Sequence, residues 1–290
     1  MSEINECPNS TVYQPTGDSG CPQDLTVARK IFLYKAGVNY ATIDLAKEEA
    51  SLDTLIQNED VIPFKLVEQA DNSDKEEEMW EGNAGGTHKI ADAVTKNTFN
   101  LITTPSQHAF LRSYDQFSGG YVIVDRNENV RMYTEDGTTV DPITIGVMSV
   151  GIHTTANDGT PSFTPITISD AFPREWNNSP VSFKPSYKIL AKNGLLPVRL
   201  KEVGSSTSTS IVVNVTNYDT GAAVAGLTEI TDWILADSQT ITGAAESATI
   251  PGQYTISGTG LVSGTLNLAN PEDLGVTGYK SVGAITITIS

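Results

Sequence analysis

The sequence predicts a mostly-β protein in which a sheet domain with one helix precedes a C-terminal β-sandwich. Three observations predict this fold class. Gly, Ser, Thr and Asn are abundant while charged residues make up only 18% of the chain, a composition typical of strands and turns. Short segments with alternating apolar residues recur between turn-forming residues. The length of 290 residues also exceeds that of a typical single domain.

The composition divides the chain into three regions. Residues 1–26 are polar and rich in turn formers, so we expect an extended arm without a core of its own. Residues 27–194 alternate strand and helix patterns and end in a segment with three prolines (173–194), which indicates a linker or docking segment. In residues 195–290 charge is sparse, and short strands at regular spacing predict a β-sandwich.

The start of the second region combines strand and helix signals. Residues 28–37 predict a strand, and residues 42–60 predict a mixed or short helical stretch. Residues 61–70 return to a strand pattern, with Pro63 favouring an edge strand or a bulge. The acidic run from Asp71 to Glu78 is expected to be a solvated loop or a frayed helix end.

The best helix signal covers residues 105–118. Pro105 suits a first helical turn, and one broad apolar face is formed by Ala109, Phe110, Leu111, Tyr114 and Phe117. The strand TFNLITT precedes this helix, and a hairpin with the polar turn DRNEN follows it. Residues 140–172 predict two long strands around an Asn157-Asp158-Gly159 turn.

The net charge of −17 and the pI of about 4.4 argue against binding of nucleic acid through its phosphates. Two interpretations of this acidity stay open. An acidic surface can form a conduit wall that repels DNA, or it can simply keep the protein soluble.

Cys7 and Cys21 flank a segment rich in Pro, Gly and Ser, and they could close a loop by a disulfide. Two free thiols are the favoured interpretation, and a single pair does not make a zinc site. The N-terminus lacks the basic start and apolar run of a secretory signal, and no apolar stretch approaches the length of a bilayer span. We therefore expect a soluble protein that is made in the cytoplasm.

Each candidate catalytic or binding motif lacks a residue or a spacing that its function requires. His88, His108 and His153 lie in different segments without metal-ligand spacing. Asp125, Asn127 and Asn129 resemble the start of a calcium loop, but Val130 stands where that loop needs Gly and Asp136 where it needs Glu, so a hairpin turn is favoured. The glycine-rich segment 82–87 lacks the lysine and the following helix of a phosphate site.

The sequence therefore predicts no catalytic, cofactor-binding or metal-binding residues, and a protein that is not an enzyme. Acidic residues are plentiful, but no aromatic-rich cleft pattern accompanies a pair that could hydrolyse glycosides. Trp80, Trp176 and Trp233 are expected to be packing residues.

Two elements of residues 195–290 resemble bacterial and phage immunoglobulin-like domains. The first is VVNVTNYDTGAAVAGL, in which Tyr218-Asp219-Thr220-Gly221, Val224 and Gly226 match a strand-ending turn of that family. The second is ATIPGQYTISGTGLVSGTLNL, in which Gly252, Tyr254, Thr255 and Ile256 match a returning strand. The resemblance implies that Tyr254 packs inward, that Gly221 adopts unusual backbone angles, and that the domain serves surface display, adhesion or lattice support.

The preceding region resembles phage tail tube proteins, on the flexible arm at 1–26, the lone helix at 105–118 and the long hairpin at 140–172. This resemblance implies a virion subunit whose copies form stacked hexameric rings around an acidic DNA channel. The partners would be further copies and other virion proteins, with DNA passing through unbound and no membrane involved. The alternatives are a capsid decoration or auxiliary head protein, or a surface adhesion or carbohydrate-binding module.

Overall fold

The computed structural model describes residues 27–40, 42–72, 78–81, 87–91, 95–136, 138–172, 175, 180–236, 239–275 and 278–289. The predicted arm at 1–26, with Cys7 and Cys21, and Trp176 lie outside these residues. The fold is mostly β, as predicted. Two compact units are present, with one boundary between Asn193 and Gly194; the short segment Gln57–Glu59 groups with the second unit.

The strands of the first unit are β1 (Ala28–Lys35), β2 (Val61–Pro63), β3 (Val67–Asn72), β4 (Glu78–Glu81), β5 (Thr87–Ala91), β6 (Lys96–Ile102), β7 (Gly119–Asp125), β8 (Val130–Tyr133), β9 (Ile143–Val150), β10 (Phe163–Asp170) and β11 (Pro180–Phe183). The helices are α1 (Ile43–Ala46), α2 (Glu49–Gln57) and α3 (Pro105–Arg112).

Nine of the described strands form one sheet in the order β11-β8-β7-β9-β10-β6-β3, with β1 and β2 added beside β7. The sheet curves around a core to which both β1 and β3 contribute, although the two strands lie far apart in the strand order. That core comprises Ile31, Leu33, Phe64, Val67, Phe99, Leu101, Tyr121, Ile123, Ile143, Ile145, Met148, Val150, Ile166 and Ile168. Because β1 and β7 are buried on both faces, their sequences are almost continuously apolar rather than alternating.

The helix α3 begins at a capping box. The Thr104 hydroxyl accepts a hydrogen bond from the Gln107 backbone N–H, and the Gln107 side chain accepts one from the Thr104 backbone N–H. The helix ends at Arg112, earlier than predicted, and turns continue the chain. Leu111, Tyr114 and Phe117 pack against the core, whereas Ala109 is exposed.

Three expectations for this unit need correction. The predicted fold class has one helix, whereas the described unit has three, but α1 and α2 lie within residues 42–60, where a mixed or short helical stretch is predicted; Leu52 and Ile56 of α2 are buried. The predicted strand at 61–70 is two strands, because the chain leaves the sheet between Pro63 and Val67. Pro63 does lie in an edge strand, as predicted, since β2 pairs only with β1.

The acidic run is the third correction. Asp71 belongs to β3 and Glu78 begins β4, so both ends of the run lie in strands rather than in a loop or helix end. Residues 73–77 lie outside the described part of the chain. Backbone pairing of β3 with β6 and of β4 with β5 holds these two residues in strands.

The segment before the boundary docks on the first unit. Its strand β11 pairs with β8, and a short 3₁₀ helix follows at Ile189–Ala191. The buried Lys30 ammonium donates to the carbonyl oxygens of Leu190, at 3.0 Å, and of Lys192. The Lys192 ammonium in turn lies 2.6 Å from Asp53 and 2.7 Å from Glu49, both on α2. Hydrogen bonds and ion pairs therefore hold this segment against both β1 and α2.

The second unit is a sandwich of two sheets. The strands are β12 (Leu196–Glu202), β13 (Ser210–Asn217), β14 (Trp233–Leu235), β15 (Ile241–Glu246), β16 (Gln253–Gly258), β17 (Gly264–Leu268), β18 (Tyr279–Ser281) and β19 (Ile285–Ile287). The sheet β15-β16-β13-β12-β18 and the sheet β14-β17-β19 contribute to one apolar core.

The two motif elements of this sandwich contact each other through Tyr254. This side chain is fully buried, as predicted, and its hydroxyl donates to the Val224 carbonyl at 2.7 Å. It also accepts a hydrogen bond from the Leu227 N–H at 3.3 Å. Gly221 has a positive φ of 71°, which confirms the predicted backbone conformation.

Candidate assembly surfaces

In the sheet segment β9-β10-β6-β3, the chain extends beyond the strands at both of their ends. At one end β10 begins, with Phe163 opposite Ile102, and at the other end Ser169 lies opposite Lys96. We call the first the histidine end, because His108, Arg112 and His153 lie there. We call the second the acidic end, because Glu135, Asp136, Asp141 and Glu175 lie there together with β4.

At the histidine end, β9 and β10 continue into the distal hairpin, residues 151–162. Thr154 and Phe163 exchange two backbone hydrogen bonds of 2.9 and 3.1 Å, and Asn157 and Thr160 exchange two of 3.1 Å. The turn is the predicted Asn157-Asp158-Gly159, with Gly159 at φ 88°. The side chain of Ile152 is 87% exposed, so the hairpin presents a large apolar group to solvent.

Two histidines meet at the base of the distal hairpin. The ring centroids of His108 and His153 are 5.4 Å apart. Both Nδ1 atoms face the buried Thr164 hydroxyl, at 3.1 Å from His108 and 3.5 Å from His153. The Thr103 hydroxyl completes the group, 2.7 Å from Thr164 Oγ1 and 3.3 Å from His153 Nδ1.

The surroundings of His108 oppose its protonation. Burial, the neighbouring His153 and the positive charge of Arg112 together lower the pKa of His108 below its usual value. The Arg112 guanidinium donates to the Val150 carbonyl at 2.6 Å and lies 3.7 Å from the Asp115 carboxylate. Asp115 also accepts a hydrogen bond from the Val150 N–H at 2.9 Å. Arg112 is therefore fixed at the end of β9, close to the imidazoles.

At the acidic end, the chain leaves the sheet after Asn72 of β3 and returns at Lys96 of β6, with Asn72 opposite Asn97. The connection between them contains the β4–β5 pair, a separate two-stranded sheet in which Glu78 lies opposite Ala91. The sequence from Asp71 to Glu81 contains six acidic residues and one lysine. We call the β4–β5 pair the acidic ribbon.

Four acidic residues also lie close together at the acidic end. Burial and the nearby charges of Glu135, Asp136 and Glu175 raise the pKa of Asp141. The Glu175 carboxylate accepts hydrogen bonds from the Thr144 N–H at 2.7 Å and the Thr144 hydroxyl at 2.8 Å. Burial, Glu175 and Asp141 raise the pKa of Tyr133 to about 12. The electrostatic potential at this end is therefore more negative than at the histidine end.

The predicted hairpin turn at Asp125 is present. Its fully buried carboxylate accepts hydrogen bonds from the Asn127 and Asn129 N–H groups, both 2.8 Å, and from the Asn129 side chain at 2.9 Å. The carboxylate thus binds its own turn. Within the described residues, no group of three or more His, Cys, Asp or Glu side chains could hold a metal ion.

The histidine pair escaped the sequence analysis. His108 lies on α3 and His153 lies in the distal hairpin, and only the pairing of β6 with β10 brings the two segments together. The spacing of the histidines along the chain does not indicate this contact, because the two segments are neighbours in the sheet but far apart in the sequence. His88 lies in β5, and the structure describes only its position in that strand.

In the described part of the chain, no helix has the length and apolar character needed to cross a membrane. No protein-family model matches the chain, and no curated protein matches it.

Proposed function

We propose that this chain is a structural subunit of a virion, most concretely a tail tube subunit whose copies stack as rings around a channel for DNA. The observation that carries the proposal is that the chain extends beyond the strands β9, β10, β6 and β3 in two opposite directions. The distal hairpin extends beyond one end of these strands, and the connection from β3 to β6, which contains the acidic ribbon, leaves at the other end.

Extensions in opposite directions favour head-to-tail association. When one surface of a subunit binds a different surface of the next, the contact repeats without limit unless rotation closes it into a ring. A tube uses both results, rings within a layer and stacking between layers. The two opposite ends of these strands supply two different surfaces, as such an assembly requires.

The charge of the chain supports the same proposal. With 35 acidic and 18 basic residues, copies arranged around a channel would repel the DNA backbone. Repulsion would let DNA slide without binding the wall.

The proposal is tested by sedimentation velocity over a concentration series of the purified chain. We expect the wild type to form oligomers and the Ile152→Asp variant to remain largely monomeric, because a charge on the exposed hairpin would be buried in the contact. Ile250→Asp is the matched control, since Ile250 is also exposed, at 48%, but lies in the second unit. A wild type that is monomeric at every concentration would overturn the proposal.

A further inference from the structure

We propose that the base of the distal hairpin is a pH-dependent switch, which stays closed with one proton on the His108–His153 pair and opens when both imidazoles are protonated. The switch lies within a single copy of the chain, so it does not depend on the proposed assembly.

The switch is a hydrogen-bonded chain of four side chains. It runs from His108 Nδ1 to Thr164 Oγ1, then to Thr103 Oγ1 and then to His153 Nδ1, over distances of 3.1, 2.7 and 3.3 Å. Thr103 and Thr164 are buried, so their hydroxyls depend on these partners. The chain connects α3 to the distal hairpin across the neighbouring ends of β6 and β10.

The number of protons limits what this chain can accept. Its three hydrogen bonds need three donated protons, and the two threonine hydroxyls supply two of them. One imidazole must therefore donate through Nδ1–H while the other accepts through its Nδ1 lone pair. One extra proton satisfies the same count, because the charged imidazole donates and the neutral one accepts. When both imidazoles are charged, both donate, and one buried hydroxyl proton has no acceptor left in the chain.

Electrostatic repulsion adds to the cost of the second proton. The two ring centroids are 5.4 Å apart, so two imidazolium charges would repel each other. Burial, His153 and Arg112 together lower the pKa of His108. The carboxylates at this end are Asp115, which lies 3.7 Å from Arg112, and Asp158 in the exposed turn of the hairpin. Strand β9 contains no ionisable residue, and those of β6 and β10 lie at the opposite end of these strands.

The distal hairpin is more easily displaced than α3. No residue from 151 to 162 is buried, so moving this segment exposes little apolar surface. The helix, in contrast, is fixed by its capping box and by the packing of Leu111 against the core. We therefore expect the second proton to move His153 rather than His108.

The two arms of the hairpin are attached differently. The returning arm is held by Ser162, whose hydroxyl donates to the Thr103 carbonyl at 2.9 Å. The outgoing arm contains His153, and the backbone pair of Thr154 with Phe163 follows directly. Outward movement of His153 separates the two charges and frees the Thr103 hydroxyl to find another acceptor. Release of the outgoing arm should therefore open the pair between Thr154 and Phe163.

Amide hydrogen exchange of the full chain, measured by NMR at about pH 7.5 and about pH 5, tests this switch, since histidine titrates in this range and most carboxylates stay ionised. After correction for the intrinsic exchange rate, protection of the Thr154 and Phe163 amides should fall at least about tenfold at the lower pH, as one buried hydroxyl without an acceptor predicts. The amides of Ile166 and Ile168, in the middle of β10, should keep their protection.

Two single variants, His108→Gln and His153→Gln, test whether two protons are needed. Each variant keeps one titratable imidazole, and glutamine can donate or accept in place of the other. Because one proton is compatible with the chain, both variants should lose the change in protection. The matched control is His88→Gln, which removes the third histidine, in β5, and should keep the full change. Circular dichroism checks that each variant is folded.

Equal protection of Thr154 and Phe163 at both pH values in the wild type would overturn the proposal. Full retention of the change in His108→Gln or in His153→Gln would also overturn it, since a single proton would then be sufficient. A parallel loss of protection at Ile166 and Ile168 would show unfolding of the whole unit instead of release of the hairpin, with the same consequence. Each of these results leaves the proposed function standing, because sedimentation tests that function separately.

Discussion

At the scale of single residues, buried ionisable groups in the first unit are used to fix backbone segments. Asp125 is fully buried and binds the backbone of its own turn, while Lys30 is 1% exposed and binds the carbonyls that follow the 3₁₀ helix. The turn at Asp125 was predictable, because Asp and Asn in this spacing favour local side-chain to backbone hydrogen bonds. The partners of Lys30 were not, since they lie far along the chain and leave no local pattern.

Substitution Asp125→Ala should destabilise the first unit by about 3 kcal/mol, because the three hydrogen bonds that the buried carboxylate accepts within its own turn are lost. Denaturant unfolding followed by tryptophan fluorescence and circular dichroism measures the change. The control Asp158→Ala, at the exposed turn of the distal hairpin, should change stability by less than about 0.5 kcal/mol. Equal effects of the two substitutions would contradict this role of Asp125.

Lys30 predicts a specific dependence of stability on pH. Burial lowers the pKa of Lys30 to about 8. In the unfolded chain the pKa is the usual 10.5, so between these values the unfolded state holds more protons and stability rises with pH. Below about 8 both states are protonated and the desolvation cost is present in full.

The midpoint of denaturant unfolding should therefore rise from about pH 7.5 to about pH 9 in the wild type relative to Lys30→Met. The range ends about one pH unit below the usual pKa of tyrosine, because ionisation of the buried tyrosines in the unfolded state would oppose the rise at higher pH. A Lys30→Met variant whose midpoint follows that of the wild type would show that another group causes the change.

At the scale of elements, alternation and turn residues predicted most strands of the described chain. The hairpins β7–β8 and β9–β10 and the strands β13 and β16 follow directly from such patterns. Two features were predicted incompletely. The short helical stretch predicted at residues 42–60 contains α2, but its bounds did not follow from the pattern, because α2 is short and only two of its residues are buried. The ends of the acidic run adopt strands despite their charge, because pairing with β6 and β5 satisfies their backbone groups.

The sandwich of the second unit depends on close backbone approach at one of its turn glycines. Gly252 has φ 73°, and a Cβ there would lie 2.7 Å from the Val215 carbonyl oxygen. Gly221 has φ 71°, but a Cβ there would meet open space. We expect Gly221→Ala to cost about 1 kcal/mol from backbone strain alone, and Gly252→Ala to cost clearly more because the β13 backbone must also move.

Thermal unfolding of both variants tests this difference, with Gly221→Ala as the control for the positive φ. The melting temperature should fall further for Gly252→Ala. Similar decreases would mean that the close approach to Val215 contributes nothing to stability.

At the scale of the whole molecule, each of the two described units has its own core. In the first unit a curved sheet packs around a large apolar cluster, and residues on the other face of β1 and β7 are buried as well; in the second unit two sheets pack around one cluster. Changes in composition along the chain predicted two folded regions. The opposite placement of the distal hairpin and of the connection from β3 to β6 was beyond prediction, since it depends on which ends of distant strands lie side by side. That placement is the basis of the proposed head-to-tail assembly.

Electron microscopy of the purified full-length chain, in negative stain at high protein concentration, tests this assembly most directly. The proposal predicts hollow rings and stacks of rings with a regular axial repeat, and their loss in Ile152→Asp. A field of separate single particles for the wild type at every concentration, or compact closed dimers without rings, would contradict it.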